Sequence, residues 1–282
     1  MKQGSPQIDL RLAINAVSDV IQNRPLPLRE FDQIYMKAGD MVLQTSLIAQ
    51  RFDKKRLVFM GDGDAICLCL AYLMERKILD QGPSEILLLD FDERIVKAVE
   101  RFADRERISN KITSRHYNCV DALPDDLIGK FNAFYTNPPW GASNSGESVK
   151  VFVERGMEAC GDESVGAIVI ADDYEVTWSR KVLFEVQKFI LGNNFYVQEM
   201  QTNLHAYHLD DAPDLKSCNL FIRSHPDRVA PSKSYALHEK RIEDFYGSNK
   251  NLRVRYVREK SRVDYGKAPD STYELEFVEQ KK

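Results

Sequence analysis

From about residue 55 to residue 225, short apolar runs of strand character alternate with amphipathic runs of helical period, and that alternation confines the chain to a parallel sheet with crossover helices. Strands are expected at Arg56–Met60, Glu85–Asp90, Ile112–Asn118, Ala133–Thr136, Val165–Ala171, Tyr196–Gln201 and Ser217–Arg223. Helices are expected at Ala65–Ile78, Glu93–Arg105, Val149–Ala159 and Ser179–Leu191, the second carrying Ile95, Val96, Val99 and Phe102 on one face. Only the acidic loop from Tyr207 to Lys216 separates the last two strands, too short for a crossover helix, so they should pair antiparallel. The expected class is α/β, with a seven-stranded, mostly parallel sheet that ends in an antiparallel hairpin.

That architecture resembles the S-adenosylmethionine methyltransferase variant of the Rossmann fold. Residues 51–225 would form its catalytic domain. Residues 1–50 read as a small helical cap, with Leu10, Leu12, Ala13, Val17, Val20 and Ile21 near helical spacing, followed by the extended segment PLPLREFDQIY (25–35). Pro25 and Pro27 argue against helix there. Residues 226–282 read as an accessory tail: a linker, then two alternating runs, LRVRYV (252–257) and YELEFV (273–278), able to form a hairpin.

Five cysteines, Cys67, Cys69, Cys119, Cys160 and Cys218, lie in apolar runs without CxxC spacing, a pattern of buried thiols and not of a disulfide frame or zinc site. His205 and His208 lack further ligands nearby, so no metal is expected. A net charge of -4 gives no general field for nucleic acid, and only the stretch from Lys240 to Arg262 is basic enough to contact phosphates. No run approaches the ~20 apolar residues of a membrane span, and the amino terminus lacks a signal pattern, so a soluble cytoplasmic protein is expected.

Four strand ends carry the chemistry. The first runs into Gly61-Asp62-Gly63-Asp64, a glycine turn at the carboxyl edge of the sheet, where such folds hold ligands. The second ends at Asp90, about thirty residues after that turn, where an acid can accept both hydroxyls of a ribose. Asp92 and Glu93 behind it suit a helix amino terminus. The third ends near Asp121, which could take the amino group of an adenine or merely cap a turn. The fourth ends in Asn137-Pro138-Pro139-Trp140: the prolines fix the backbone, Asn137 offers a carbonyl oxygen to an amine, and Trp140 offers a π face.

The acids in the glycine turn speak to the donor. Ordinary methyltransferases attract the methionine carboxylate to this loop and helix start. Asp62 and Asp64 would repel it, by about 1 kcal/mol or more for each close pair, and would favour the lone ammonium of decarboxylated S-adenosylmethionine. One of the two could instead cap the following helix.

Taken together, PLREFDQ (27–33), GDGD (61–64), LDFDER (89–94), the double proline and FVERG (152–156) resemble the branched-chain polyamine synthase family, the N4-bis(aminopropyl)spermidine synthases of thermophilic archaea and bacteria. The resemblance spans roughly Pro25 to Ser224. It implies aminopropyl transfer from decarboxylated S-adenosylmethionine to a polyamine nitrogen with release of methylthioadenosine, and assembly as a homodimer. Gly63 stands where the family carries a third acid, Asn137 where it carries an aspartate, and Trp140–Gly146 looks like an insertion before Glu147. Asn-Pro-Pro-aromatic is typical of amine methyltransferases, so N-methylation of a base or protein amine with S-adenosylmethionine is the alternative.

On this reading Gly61, Asp62, Gly63, Asp64, Asp90, Asp121, Asn137 and Pro138 bind the donor. Gln33, Trp140, Glu147, Asp172, Asp173 and Tyr174 receive the acceptor. Asp64 or Asp173 takes the proton, with Asn137 orienting the attacking amine.

Overall fold

The computed structural model of the protein describes residues 8–210, 212, 214–247, 254–261 and 273–277. Its framework is a sheet of seven strands, β1 (Arg56–Met60), β2 (Glu85–Asp90), β3 (Ile112–His116), β4 (Phe131–Thr136), β5 (Cys160–Ala171), β6 (Phe195–Ala206) and β7 (Lys216–Ser224), in the order β3-β2-β1-β4-β5-β7-β6. The first five run parallel, and β7 inserts antiparallel between β5 and β6. The chain order reverses between β1 and β4, which opens a crevice at the carboxyl ends of those strands.

Burial explains the strands. All but the first residue of both β1 and β2 are buried, so the continuous apolar runs Leu57–Met60 and Ile86–Leu89 reflect a sheet covered on both faces. The covering helices are α1 (Leu10–Asn23), α2 (Ala38–Arg51), α3 (Ile66–Glu75), α4 (Glu93–Glu106), α5 (Glu147–Ala159) and α6 (Thr177–Gly192). In α4 the stripe Ile95, Val99 and Phe102 faces the core, and Asp92 caps the first turn by accepting from Arg94 N.

Several boundaries differ from the sequence expectation. β3 stops at His116 and not Asn118, because the Asn118 side chain turns back to accept from Val120 N at 3.1 Å. α3 stops at Glu75 and not Ile78: Lys77 is left-handed at φ 55, and Ile78 N closes the helix on Leu73 O. In α1 the buried stripe is Ala13, Ala16, Val17 and Val20, while Leu10 and Leu12 are exposed. Helix α2 has no separate signature in the sequence because its buried face carries Gln44 and Thr45 among Met41, Val42, Ile48 and Ala49.

Segment 25–37 crosses the mouth of the crevice. A short 3-10 turn at Arg29–Phe31 interrupts it, and its end is tied to the end of β6 by Lys37 N to Ala206 O and His208 N to Tyr35 O, both 2.9 Å. On the other flank residues 225–247 wrap against the loop after β3, where Leu237 N reaches Val120 O at 2.9 Å and buried Arg155 holds the carbonyls of Cys119 and Tyr235. The strands β8 (Val254–Glu259) and β9 (Tyr273–Phe277) form an antiparallel pair locked to α4 by a two-pronged Arg101–Glu259 ion pair. Residues 252–253 and 278 of the expected hairpin lie outside the described residues.

Candidate active site

The crevice lies over the carboxyl ends of β1, β2, β3 and β4, and segment 31–35 and Tyr246 from the tail also line it.

Its floor is the turn after β1. Gly61 adopts φ +69 and lies so near the Phe152 ring that an added Cβ would stand 3.0 Å from it, so both conformation and space require glycine. Gly63 lies beneath Tyr35, whose ring leaves only 3.1 Å for a Cβ. A third acid at this position would require the Tyr35 ring to give by a few tenths of an ångström.

Asp90 is buried at the end of β2 and accepts from Asp62 N at 3.0 Å and Asp92 N at 2.9 Å. These bonds fix its carboxylate in the crevice wall while lone pairs remain for hydroxyl donors. Burial pushes it up to about 7.

Asp62 is 1% exposed. Its Oδ2 accepts from Cys67 N at 2.7 Å, one of the free amides at the start of α3, while its Oδ1 is buried with no hydrogen-bond partner among the described residues. Burial raises this group to about 7 as well. Asp64, 3% exposed, points elsewhere: Oδ1 accepts from Met36 N at 2.6 Å and Oδ2 from Asn137 Nδ2 at 2.8 Å. A carboxylate accepts only, so the Asn137 amide presents its nitrogen to Asp64 and its carbonyl oxygen is directed away from that carboxylate.

Pro138, Pro139 and Trp140 continue the wall from Asn137. The Trp140 ring meets Tyr207 edge-on at 5.1 Å, and its buried Nε1 has no partner among the described residues. Behind Tyr207 lies a polar network without charge. Tyr207 Oη and His205 Nδ1 each lie 2.8 Å from Ser217 Oγ, and His205 Nε2 lies 2.8 Å from Gln44 Oε1. Burial lowers His205 to about 4, which keeps it neutral at ordinary pH. Among the described residues no group of three or more His, Cys, Asp or Glu side chains could hold a metal.

The opposite end of the crevice is aromatic. Phe31, Phe91 and Tyr246 form a three-ring cluster with centroids 5.4 to 5.8 Å apart, Phe91 and Tyr246 nearly parallel at 24°. A planar base is the natural occupant of such a wall.

The crevice thus brings together Gln33, Gly61, Asp62, Gly63, Asp64, Asp90, Asn137, Pro138 and Trp140 from the expected set. Five expected residues do not line it. Asp121 turns to the tail, with its Oδ2 3.2 Å from Arg255 Nη2 and 3.1 Å from Tyr256 Oη. Glu147 begins α5 and pairs with Arg241 at 2.6 Å. Asp172 accepts from Asn203 N, Asp173 accepts from Glu175 N, and Tyr174 is 73% exposed. Bonds to other parts of the chain thus engage the four carboxylates. Gln33 bridges two roles: its Oε1 accepts from Leu28 N at 2.7 Å, and its Nε2 reaches Asp92 Oδ2 at 3.1 Å.

Sequence reasoning missed Phe31, Tyr35, Phe91, Tyr207 and Tyr246. Phe31 and Tyr35 stood in the segment already singled out around Gln33, and Phe91 directly follows Asp90. Nothing local marks Tyr246, which reaches the site only because the tail folds back.

The sequence profile of the branched-chain polyamine synthase A C-terminal domain matches residues 13–274. An N(4)-bis(aminopropyl)spermidine synthase of Thermococcus kodakarensis is 31% identical over 141 residues, 49% of this chain and 37% of that protein. An uncharacterized protein of Methanocaldococcus jannaschii is 29% identical over 199 residues, 69% of this chain and 46% of that protein. The chain therefore spans less than half the length of either relative. In structure it is similar to the branched-chain polyamine synthase of Thermus thermophilus, solved in complex with N4-aminopropylspermidine and 5'-methylthioadenosine, with a TM-score of 0.69 and 20% identity over 84% of this chain and 70% of that one. The profile match covers nearly the whole length, and the chain belongs to the branched-chain polyamine synthase family through that family's C-terminal domain.

Proposed function

We propose that the crevice binds decarboxylated S-adenosylmethionine and transfers its aminopropyl group to a polyamine nitrogen. One observation carries the choice of donor: Cys67 N, at the start of α3, is already engaged by the carboxylate of Asp62 at 2.7 Å. In this fold a methionine carboxylate docks at the amides of that helix start. Here a carboxylate of the chain itself fills the position, its second oxygen buried and without a partner among the described residues, and Asp64 adds another acid to the same turn. A donor ending in ammonium supplies the missing partner, whereas a donor ending in carboxylate meets repulsion. The neighbouring Phe31, Phe91 and Tyr246 rings suit the adenine, and Asp90 suits the ribose hydroxyls.

In the reaction the acceptor nitrogen uses its lone pair to form a bond to the methylene carbon next to the sulfonium. The carbon–sulfur bond breaks, its electron pair goes to sulfur, and neutral methylthioadenosine leaves. The nitrogen must shed one proton, and Asp64 is the carboxylate beside Asn137 able to take it. The carbonyl oxygen of Asn137, set by Asp64, holds an N–H of the incoming amine, with Trp140 and Tyr207 flanking the acceptor.

The test incubates the protein with decarboxylated S-adenosylmethionine and a panel of linear and branched polyamines, with methylthioadenosine release as the readout. Calorimetry with both donors accompanies it. The reading expects turnover and at least tenfold tighter binding of the decarboxylated donor, a difference of about 1.4 kcal/mol. Preference for S-adenosylmethionine with no methylthioadenosine release would replace it by the N-methylation that the Asn-Pro-Pro-Trp turn also suits.

A further inference from the structure

Arg24 lies outside the crevice lining, at the end of α1, yet it reaches the centre of the site from behind. It is 8% exposed, an uncommon place for a guanidinium without a paired anion. Its Nη1 donates to the main-chain carbonyl of Asp64 at 3.1 Å and stands 3.9 Å from Asp64 Oδ1. Its guanidinium carbon lies 4.0 Å from the centroid of the Tyr35 ring, and the Tyr35 hydroxyl donates to Pro25 O at 2.9 Å. Arg24 therefore has its position fixed by an aromatic face, a carbonyl and a carboxylate.

Resting on the aminopropyl-transfer reading, we propose that Arg24 is a positioning residue that holds Asp64 in its anionic form within the crevice, and so sets the lower pH limit at which the site takes up the acceptor's proton.

The groups around Asp64 support this division of labour. Burial raises Asp64, and Arg24 is the leading influence against that rise, followed by the bond from Met36 N, the bond from Asn137 and, more weakly, His208 after β6. Asp62 on the same turn, Tyr35 on the crossing segment, Tyr135 on β4, Tyr207 after β6 and Cys69 on α3 also face it, and all are electrically neutral or negative. Among the described residues Arg24 is thus the permanent cation facing Asp64. Asp62 and Asp90, which have no such neighbour among their leading influences, both rise to about 7. An acid that must be ionised before each turnover gains from a fixed positive charge. The acids that meet a cationic donor need none, because the donor itself brings it.

The experiment follows the carboxyl carbons of 13C-labelled aspartate by NMR between pH 4 and 9 in the wild type, Arg24→Gln and Arg24→Lys, with Asp64 assigned by the resonance lost in Asp64→Asn. The pH dependence of kcat/KM for the acceptor is measured on the same proteins. In the wild type Asp64 is expected to titrate below Asp62 and Asp90. Arg24→Gln should move its titration, and the acid limb of kcat/KM, upward by about 1–3 pH units, the usual effect of an opposite charge at this range. Arg24→Lys should restore most of that displacement. Asp64 titrating together with or above Asp62 in the wild type would overturn the proposal without recourse to any variant, as would an unmoved titration in a folded Arg24→Gln protein. Should no polyamine release methylthioadenosine, the transfer reading fails while the carboxyl titrations still decide whether Arg24 governs Asp64.

Discussion

Replacing Asp62 by asparagine should make the protein more stable and a poorer binder of its donor. Once ionised, the wild-type side chain buries an anion with one oxygen on Cys67 N and the other without a partner among the described residues. Its rise from the usual 3.8 to about 7 means that the folded protein holds a proton where the unfolded chain has already released one. The folded state binds more protons across that interval, so stability falls as pH climbs from about 4 to about 7 and is level above it. A span of just over three pH units, at about 1.4 kcal/mol each, sets a ceiling of about 4 kcal/mol for the cost at pH 8. Asparagine keeps the bond to Cys67 N and abolishes the ionisation. The variant should therefore gain roughly 2–4 kcal/mol at pH 8, about 3–7 °C in Tm, and nothing at pH 4. Calorimetry should show binding of decarboxylated S-adenosylmethionine weakened at least tenfold, and binding of methylthioadenosine, which carries neither the ammonium nor the sulfonium, nearly unchanged. Parallel melting curves for the two proteins between pH 4 and pH 8, or a variant less stable at pH 8, would refute the claim that Asp62 is a buried ionisable acid.

Three further outcomes follow from the same geometry. Because Asp62 and Asp90 both rise to about 7, a cationic donor binding at pH 6 should expel protons, visible as a binding enthalpy that varies with the buffer's own ionisation enthalpy, and its affinity should climb between pH 5 and 8. Tyr246→Ala removes one ring of the aromatic wall and should weaken methylthioadenosine by about 1–2 kcal/mol, whereas Tyr246→Phe should bind it as the wild type does, both read by calorimetry. His205 is lowered to about 4, so the unfolded chain takes its proton near 6.5 before the folded protein does, and stability is lost as pH drops through that window. His205→Gln should flatten this limb of a Tm against pH curve.

The sequence by itself determined the sheet and the four strand ends that face the crevice. Leu57–Met60 and Ile86–Leu89 are legible because a strand covered on both faces must be apolar at successive positions, and Gly61 because only glycine tolerates its turn. Asp62, Asp64, Asp90 and Asn137 could be placed because each lies at or within four residues of the end of a strand. Tertiary structure alone decided what those acids do. Whether Asp62 caps α3 while Asp64 turns to Met36 and Asn137 depends on where segment 25–37 lies, and Tyr35 over Gly63 fixes that. The same holds for Tyr246 and Arg24, distant in the chain and joined to the site by packing. Conversely Asp121 and Asp172 follow strands too, but bonds to Arg255 and Asn203 turn them from the crevice, an outcome set by neighbours that local pattern does not encode. A strand's period constrains which face a side chain takes, while the partner a carboxylate finds at the end of that strand is settled by whatever chain crosses it.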